Sequence, residues 1–174
     1  MTERQRTVTW QDPRPGVAAM PTLSGLEYLE AMRDGQLPPP PIMGAMLMTL
    51  GSVEAGRVEF RCEPDESLYN PLGSVHGGVL CTLLDSATGC AGQSILPVGS
   101  GYTSIDIQVS YLRPVRAGDG MLRAIGTVKK PGRRVIFTEA EVLDAEGRAV
   151  ASATSTLLVL SLDASAAATT AAAG

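Results

Sequence analysis

Histidine is nearly missing from this chain: among 174 residues only His76 is one, and cysteines number three, at Cys62, Cys81 and Cys90. A zinc or iron site needs several nitrogen and sulfur ligands at close spacing, so no metal site is expected. An odd cysteine count without CxxC spacing also argues against a disulfide framework, and reduced thiols are the simpler reading. Aromatic residues reach only 4%, too few for the stacking platforms that grip single-stranded nucleic acid. Basic side chains are outnumbered, 14 Lys and Arg against 18 Asp and Glu for a formal charge of −4. Without a basic face, nucleic acid is not an expected partner. No run approaches the ~20 apolar residues of a membrane span, and the first twenty residues hold no apolar signal core. A soluble, cytoplasmic protein is expected. Three motifs are absent too: GxSxG, GxGxxG and a Walker lysine loop, which leaves nucleophile-elbow, dinucleotide and NTP chemistry unsupported.

What is present is a chain of one-domain length, with 44% hydrophobic and 18% charged residues, enough to bury a core. Residues 1–41 read as an N-terminal extension with a short helix over Thr22–Asp34. Ser24 and Glu27 stand at capping-box spacing there, and Gly35 stops it. The prolines Pro38–Pro41 predict an extended entry into a body at 42–161. An Ala-rich tail, 162–174, offers nothing large enough to pack and is expected to be disordered. Within the body, strands are predicted at Met43–Ser52, Arg57–Cys62, Thr103–Arg113, Met121–Lys130, Arg134–Leu143 and Arg148–Leu160, joined in an antiparallel meander. The third alternates strictly, placing Ile105, Ile107, Val109 and Tyr111 on one face and Ser104, Asp106, Gln108 and Ser110 on the other. The segment Gly77–Ser94 has helical spacing instead: Val79, Leu80, Leu83, Leu84, Ala87 and Ala91 on one side, small residues and Asp85 on the other.

Asp85 is the odd residue, the sole charge along an 18-residue apolar helix. Either it points to solvent, or the helix is packed all round and the carboxylate is kept for chemistry. Ahead of it runs Asn70-Pro-Leu-Gly-Ser-Val-His76-Gly77-Gly78. Two glycines at a helix start allow close approach of a ligand to free N–H groups at the positive end of the dipole, donors suited to a developing oxyanion. The plainer reading is a tight loop-to-helix turn with a structural His76. The third feature, Lys129-Lys130-Pro131-Gly132-Arg133-Arg134, is either a solvated turn or a landing point for phosphates.

Taken together, Asn70, the His76-Gly77-Gly78 triplet, Asp85, Gly89 and a strand ending in Tyr111-Leu112-Arg113-Pro114 resemble the hotdog-fold acyl-CoA thioesterases of the phenylacetate-degradation (PaaI-like) group, over about Met43–Leu160. The resemblance implies an α+β hotdog fold, a curved antiparallel sheet wrapped around one long central helix, assembled into a homodimer or homotetramer with active sites at the dimer interface. It implies an acyl-CoA substrate and no cofactor. Asp85 would be the nucleophile or general base, the Gly77 N–H would polarise the carbonyl, Asn70 would orient the thioester or water, and His76 would support that loop. Ser104 of the partner chain, or its neighbour Thr103, would hold the water. Gly78 and the basic residues Lys130, Arg133 and Arg134 would contact substrate. A non-catalytic acyl-CoA binding module and a hotdog enoyl-thioester hydratase are the alternatives.

Overall fold

The computed structural model describes residues 2–162; the tail expected to be disordered lies, from residue 163 on, outside the described residues. Six strands form one antiparallel sheet: β1 (Met48–Glu54), β2 (Arg57–Cys62), β3 (Ser100–Tyr111), β4 (Leu122–Lys130), β5 (Val135–Leu143) and β6 (Ala149–Ser161). Helix α1 spans Arg14–Ala19, α2 Gly25–Arg33, α3 Pro41–Ala45 and α4 Gly77–Gln93. The long α4 packs against β2, β3, β4, β5 and β6, which is the hotdog arrangement of a curved sheet around one helix.

The apolar stripe of α4 explains its seat. Leu83, Leu84, Ala87 and Ala91 are wholly buried, with Val79 and Leu80 nearly so, and burying each large aliphatic side chain contributes about 1.5–3 kcal/mol. Ala124, Ile136, Val142 and Leu157 close the core from the sheet side. Contact is closest over Gly126 of β4, where a Cβ atom would fall 2.0 Å from the Ala87 carbonyl oxygen. Helix backbone therefore rests almost directly on strand backbone.

Ahead of the sheet, α2 forms as its signals predict. Ser24 caps it, Glu27 completes a capping box, and Gly35 takes the left-handed conformation just after its end. Tyr28, Leu29 and Met32 are buried in the same core as α4, and the Gly25 N–H donates to the Leu96 carbonyl at 3.0 Å.

Three expectations need correction. The proline run does not lead straight into a strand: Pro41 opens the short helix α3, because a proline at the first helical position is preorganised for a turn, and β1 starts only at Met48. The sheet is not a simple meander either. Its order is β1-β2-β4-β5-β6-β3: α4 carries the chain across the sheet after β2, so β3 joins the far edge beside β6. Lastly, β3 does not alternate strictly. The β3–β6 register shifts between Ser104 and Asp106, so Ile105 is an extra, bulged residue. The bulge turns Ser104 towards α4, together with Ile107 and Val109 rather than with Asp106 and Gln108. It is pinned by Ser155 Oγ, which donates to the Asp106 carbonyl at 2.8 Å, and by the Thr156 N–H, which donates to Asp106 Oδ1 at 3.2 Å.

Because nothing flexible lies against Gly126, Gly126→Ala is expected to force α4 off β4 and to cost at least ~1–3 kcal/mol of stability. Urea unfolding of the variant reads this directly; an unchanged midpoint would show that the helix is free to shift.

Candidate active site

Helix α4 begins at a loop that caps it. His76 is the N-cap: its Nδ1 accepts from the Gly78 N–H at 2.9 Å, and its carbonyl accepts from the Val79 N–H at 2.9 Å. Among the described residues the Gly77 N–H is left as the free donor of the first turn. The Gly78 N–H is already committed to His76. Asn70 shapes the loop: its Oδ1 accepts from the N–H groups of Leu72 and Ser74 at 2.9 and 3.3 Å, and its Nδ2 donates to Ser74 Oγ at 3.0 Å. One amide hydrogen of Asn70 remains for a ligand. Tyr111, at the end of β3, donates its hydroxyl to the Gly77 carbonyl at 3.2 Å. Asn70, Gly77, Tyr111 and Arg113 line one cleft of about 290 Å³.

Asp85 lies in a different cleft. It stands eight residues along α4 from Gly77, which places the two about 12 Å apart at 1.5 Å per residue. Asp85 is exposed, not enclosed as a helix packed all round would require. The sheet buries the Leu83–Leu84–Ala87 side of α4, whereas Asp85 on the other side stays exposed among the described residues. Ser104 Oγ donates to Asp85 Oδ1 at 3.0 Å. Ser104 was expected to hold a water from a partner strand; here it meets Asp85 of its own chain. Thr103, the alternative to Ser104, is exposed and lines the same cleft.

That cleft, about 420 Å³, is lined by Met20, Asp85, Gln93, Gly101, Tyr102, Thr103, Ser104 and Leu162. Five of these were not foreseen as site residues, and three of the five shape the cleft most clearly. Tyr102 lies over Gly89, whose missing side chain makes room for it: a Cβ there would fall 2.1 Å from the phenol oxygen. Gln93 follows Asp85 and Gly89 at a spacing of four along α4, a stripe that a sequence reading could have traced. Met20 comes from the N-terminal extension, and no local signal announces it.

Burial governs the acid–base character of the cleft wall. It pushes the Tyr102 phenol well above its ordinary value, and the neighbouring Cys90 and Asp85 add to the shift. Burial also pushes the Cys90 thiol up to about 12, aided by the Asp85 charge and opposed by the hydrogen bond with Tyr102. Neither group carries charge at neutral pH.

The basic hairpin between β4 and β5 stands apart from both clefts. Lys129 pairs with Glu139 at 3.0 Å and the Lys130 ammonium sits 5.8 Å over the Phe137 ring. Arg133 and Arg134 are exposed, and Arg133 lines a third cleft of about 400 Å³ with Ile95, Leu96, Pro97 and Ser100. Among the described residues no three potential metal ligands cluster, and no helix is long and apolar enough to cross a membrane.

Comparison with known proteins decides the family. The sequence profile of the Thioesterase superfamily matches residues 72–151, which contain Gly77, Asp85 and Ser104. A candidate esterase of Halobacterium salinarum is 36% identical over 104 residues, covering 55% of this chain and 69% of that protein. The chain belongs to the thioesterase superfamily. Human acyl-coenzyme A thioesterase 13 is 28% identical over 105 residues, covering 60% of this chain and 74% of that enzyme. Among solved structures, a candidate thioesterase related to phenylacetic acid degradation, from Ralstonia eutropha, superimposes with a TM-score of 0.69. It is 30% identical, and the match covers 75% of this chain and 98% of that one. This thioesterase is accordingly a thioester hydrolase on the hotdog fold.

A thiol pushed to about 12 is almost wholly protonated at pH 8. Cys90 should therefore alkylate with iodoacetamide roughly a thousandfold or more slower than a free cysteine. Peptide mapping after timed labelling measures this. Rapid loss of the Cys90 thiol in the folded protein would mean that the cleft wall is open.

Proposed function

We propose that this thioesterase hydrolyses an acyl-CoA thioester, with Asp85 as the base that activates water and the Gly77 N–H of a second copy as the donor to the carbonyl oxygen. The observation that carries this reading is the Asp85–Ser104 pair, lodged in a cleft about 12 Å along α4 from the free Gly77 donor. One chain cannot bring both to one carbonyl. Two can. Strand β3 is an edge strand of twelve residues with β6 on one side only, and β1, at the opposite edge, is flanked by α2 and α3. Antiparallel pairing of two β3 strands centred on Gln108, with Ile105 bulged out of the ladder, sets Ser104 of one copy opposite Tyr111 of the other. The Asp85 cleft of one chain then meets the Gly77 cleft of its twin, and the dimer holds two sites.

In each site the Asp85 carboxylate takes a proton from a water held against it by the Ser104 hydroxyl. The water oxygen attacks the thioester carbonyl carbon. The carbonyl electron pair moves to oxygen, and that oxyanion accepts from the Gly77 N–H, a donor whose removal typically costs ~10²–10³ in rate. The remaining Asn70 amide hydrogen can steady the same region. Collapse reforms the carbonyl, breaks the C–S bond and releases the CoA thiolate, which recovers its proton from Asp85. A thioester is already activated, so a base, a donor and a shielded cleft suffice. CoA is the thiol favoured by the name of the human relative, and Arg133 and Arg134, with Lys130 beside them, offer charge for its phosphates.

Asp85→Asn should lower turnover by ~10²–10⁴ on every acyl-CoA, with unchanged thermal unfolding, as read by chromatography of released CoA. Gly77→Pro should lower it by ~10²–10³, because proline at the first helical position removes the N–H while keeping the helix start, its added carbons meeting the Tyr111 ring at 3.1–3.2 Å. A mixture refolded from equal amounts of the two variants should regain about a quarter of wild-type activity, since mixed dimers keep one intact site. Absence of any regain would contradict a site shared between chains; an active Asp85→Asn variant would remove Asp85 from the chemistry.

A further inference from the structure

Gln93 is the last residue of α4 and only 3% exposed, yet neither its Oε1 nor its Nε2 has a hydrogen-bond partner among the described residues. Reversing the amide does not help, since both atoms are orphaned. Buried polar groups are nearly always paired, and leaving one unpaired is costly, so such a pair of atoms calls for a partner that the described residues do not supply. The side chain lines the Asp85 cleft together with Tyr102, Met20 and Leu162. It is also held firmly. Gly25 of α2 lies against it, so closely that a Cβ there would fall 1.7 Å from the Gln93 carbonyl oxygen and 3.1 Å from Nε2. The N-terminal extension thus packs over the amide at the edge of the cleft that Gln93 lines.

We propose that Gln93 reads a neutral hydroxyl group at the far end of the substrate's acyl chain. This rests on the acyl-CoA reading above and adds the substrate class. Position gives the length. Gln93 is eight residues beyond Asp85, about 12 Å along the helix, and helical side chains lean back towards the N-terminus, so an acyl chain of about six to eight carbons spans the gap. Chemistry gives the group. An amide offers a donor and an acceptor, and a hydroxyl answers either of them. A carboxylate only accepts, and among the described residues no basic side chain lines the cleft to offset its charge beside Asp85. A methyl end leaves both amide atoms unpaired. Met20 and Leu162 supply the apolar wall along which the methylenes lie, and Met20 adapts its shape to them.

The test compares octanoyl-CoA, 8-hydroxyoctanoyl-CoA and octanedioyl-CoA, the last ending in a carboxylate, with acetyl-CoA as a substrate too short to reach Gln93. For the wild-type protein, kcat/KM for the hydroxyacyl ester should exceed that for octanoyl-CoA by ~10–100-fold, with octanedioyl-CoA the poorest of the long esters. In Gln93→Leu the hydroxyl preference should vanish or invert; should that variant fail to fold by circular dichroism, Gln93→Met serves in its place. The same ratio is read as dissociation constants on the Asp85→Asn protein, where hydrolysis plays no part. A wild-type ratio near one in both rate and binding overturns the inference, as does a preference that survives loss of the amide. Loss of turnover on all four esters, with the binding ratio intact, would instead count against the hydrolytic reading and leave the role of Gln93 standing.

Discussion

The structure depends on how near α4 comes to the sheet. At Gly126 no side chain separates the Ala87 carbonyl from β4, and this backbone approach sets the depth at which the whole helix sits. Leu83, Leu84 and Ala87 fill the space on either side. Since the helix cannot sink further or rise without opening voids, its opposite face is fixed at one height above the cleft. Asp85, Gly89 and Gln93 lie along that face at intervals of four residues. Their positions relative to β3 follow from packing on the other side of the helix.

The site is accordingly a product of two periodicities that meet. The helix supplies a stripe at a spacing of four, with Gly77 at one end and Gln93 at the other. The strand supplies Tyr102, Ser104 and Tyr111, which contact α4 near Gly89, Asp85 and Gly77 in turn. Strand and helix run in opposite directions, so the two ends of the helix open into separate clefts. That division is the physical reason behind the proposal that each chain supplies two half-sites.

Much of this was legible in the sequence because its causes are local. The capping box of Ser24 and Glu27, the helical spacing from Gly77, and the turns at Gly56 and Gly147 each rest on a few adjacent residues. The residues Asn70, Gly77 and Asp85 stood out for the same reason. What was not legible depends on contacts distant in sequence. The bulge at Ile105 is held by Ser155 and Thr156, some fifty residues away, and a flawless alternation in TSIDIQVSY concealed it. The edge position of β3 follows from the path of α4 across the sheet. Asp85 looked enclosed because its neighbours are small and uncharged, yet small neighbours on an open face leave it exposed. Pro41 misled through its own preference, which suits a helix start as well as an extended chain.

The bulge at Ile105 acts as a phase shift between two stretches of one strand. Both stretches pair with β6; after the bulge Ile107 and Val109 pack against the core, and before it Tyr102 and Ser104 line the cleft. One added residue lets both stretches face inward without a common rhythm. A family built this way can vary the residues before the bulge, and with them the acids it accepts, while those after it go on pairing unchanged. Substrate range and foldability are then inherited separately, although a single strand encodes both.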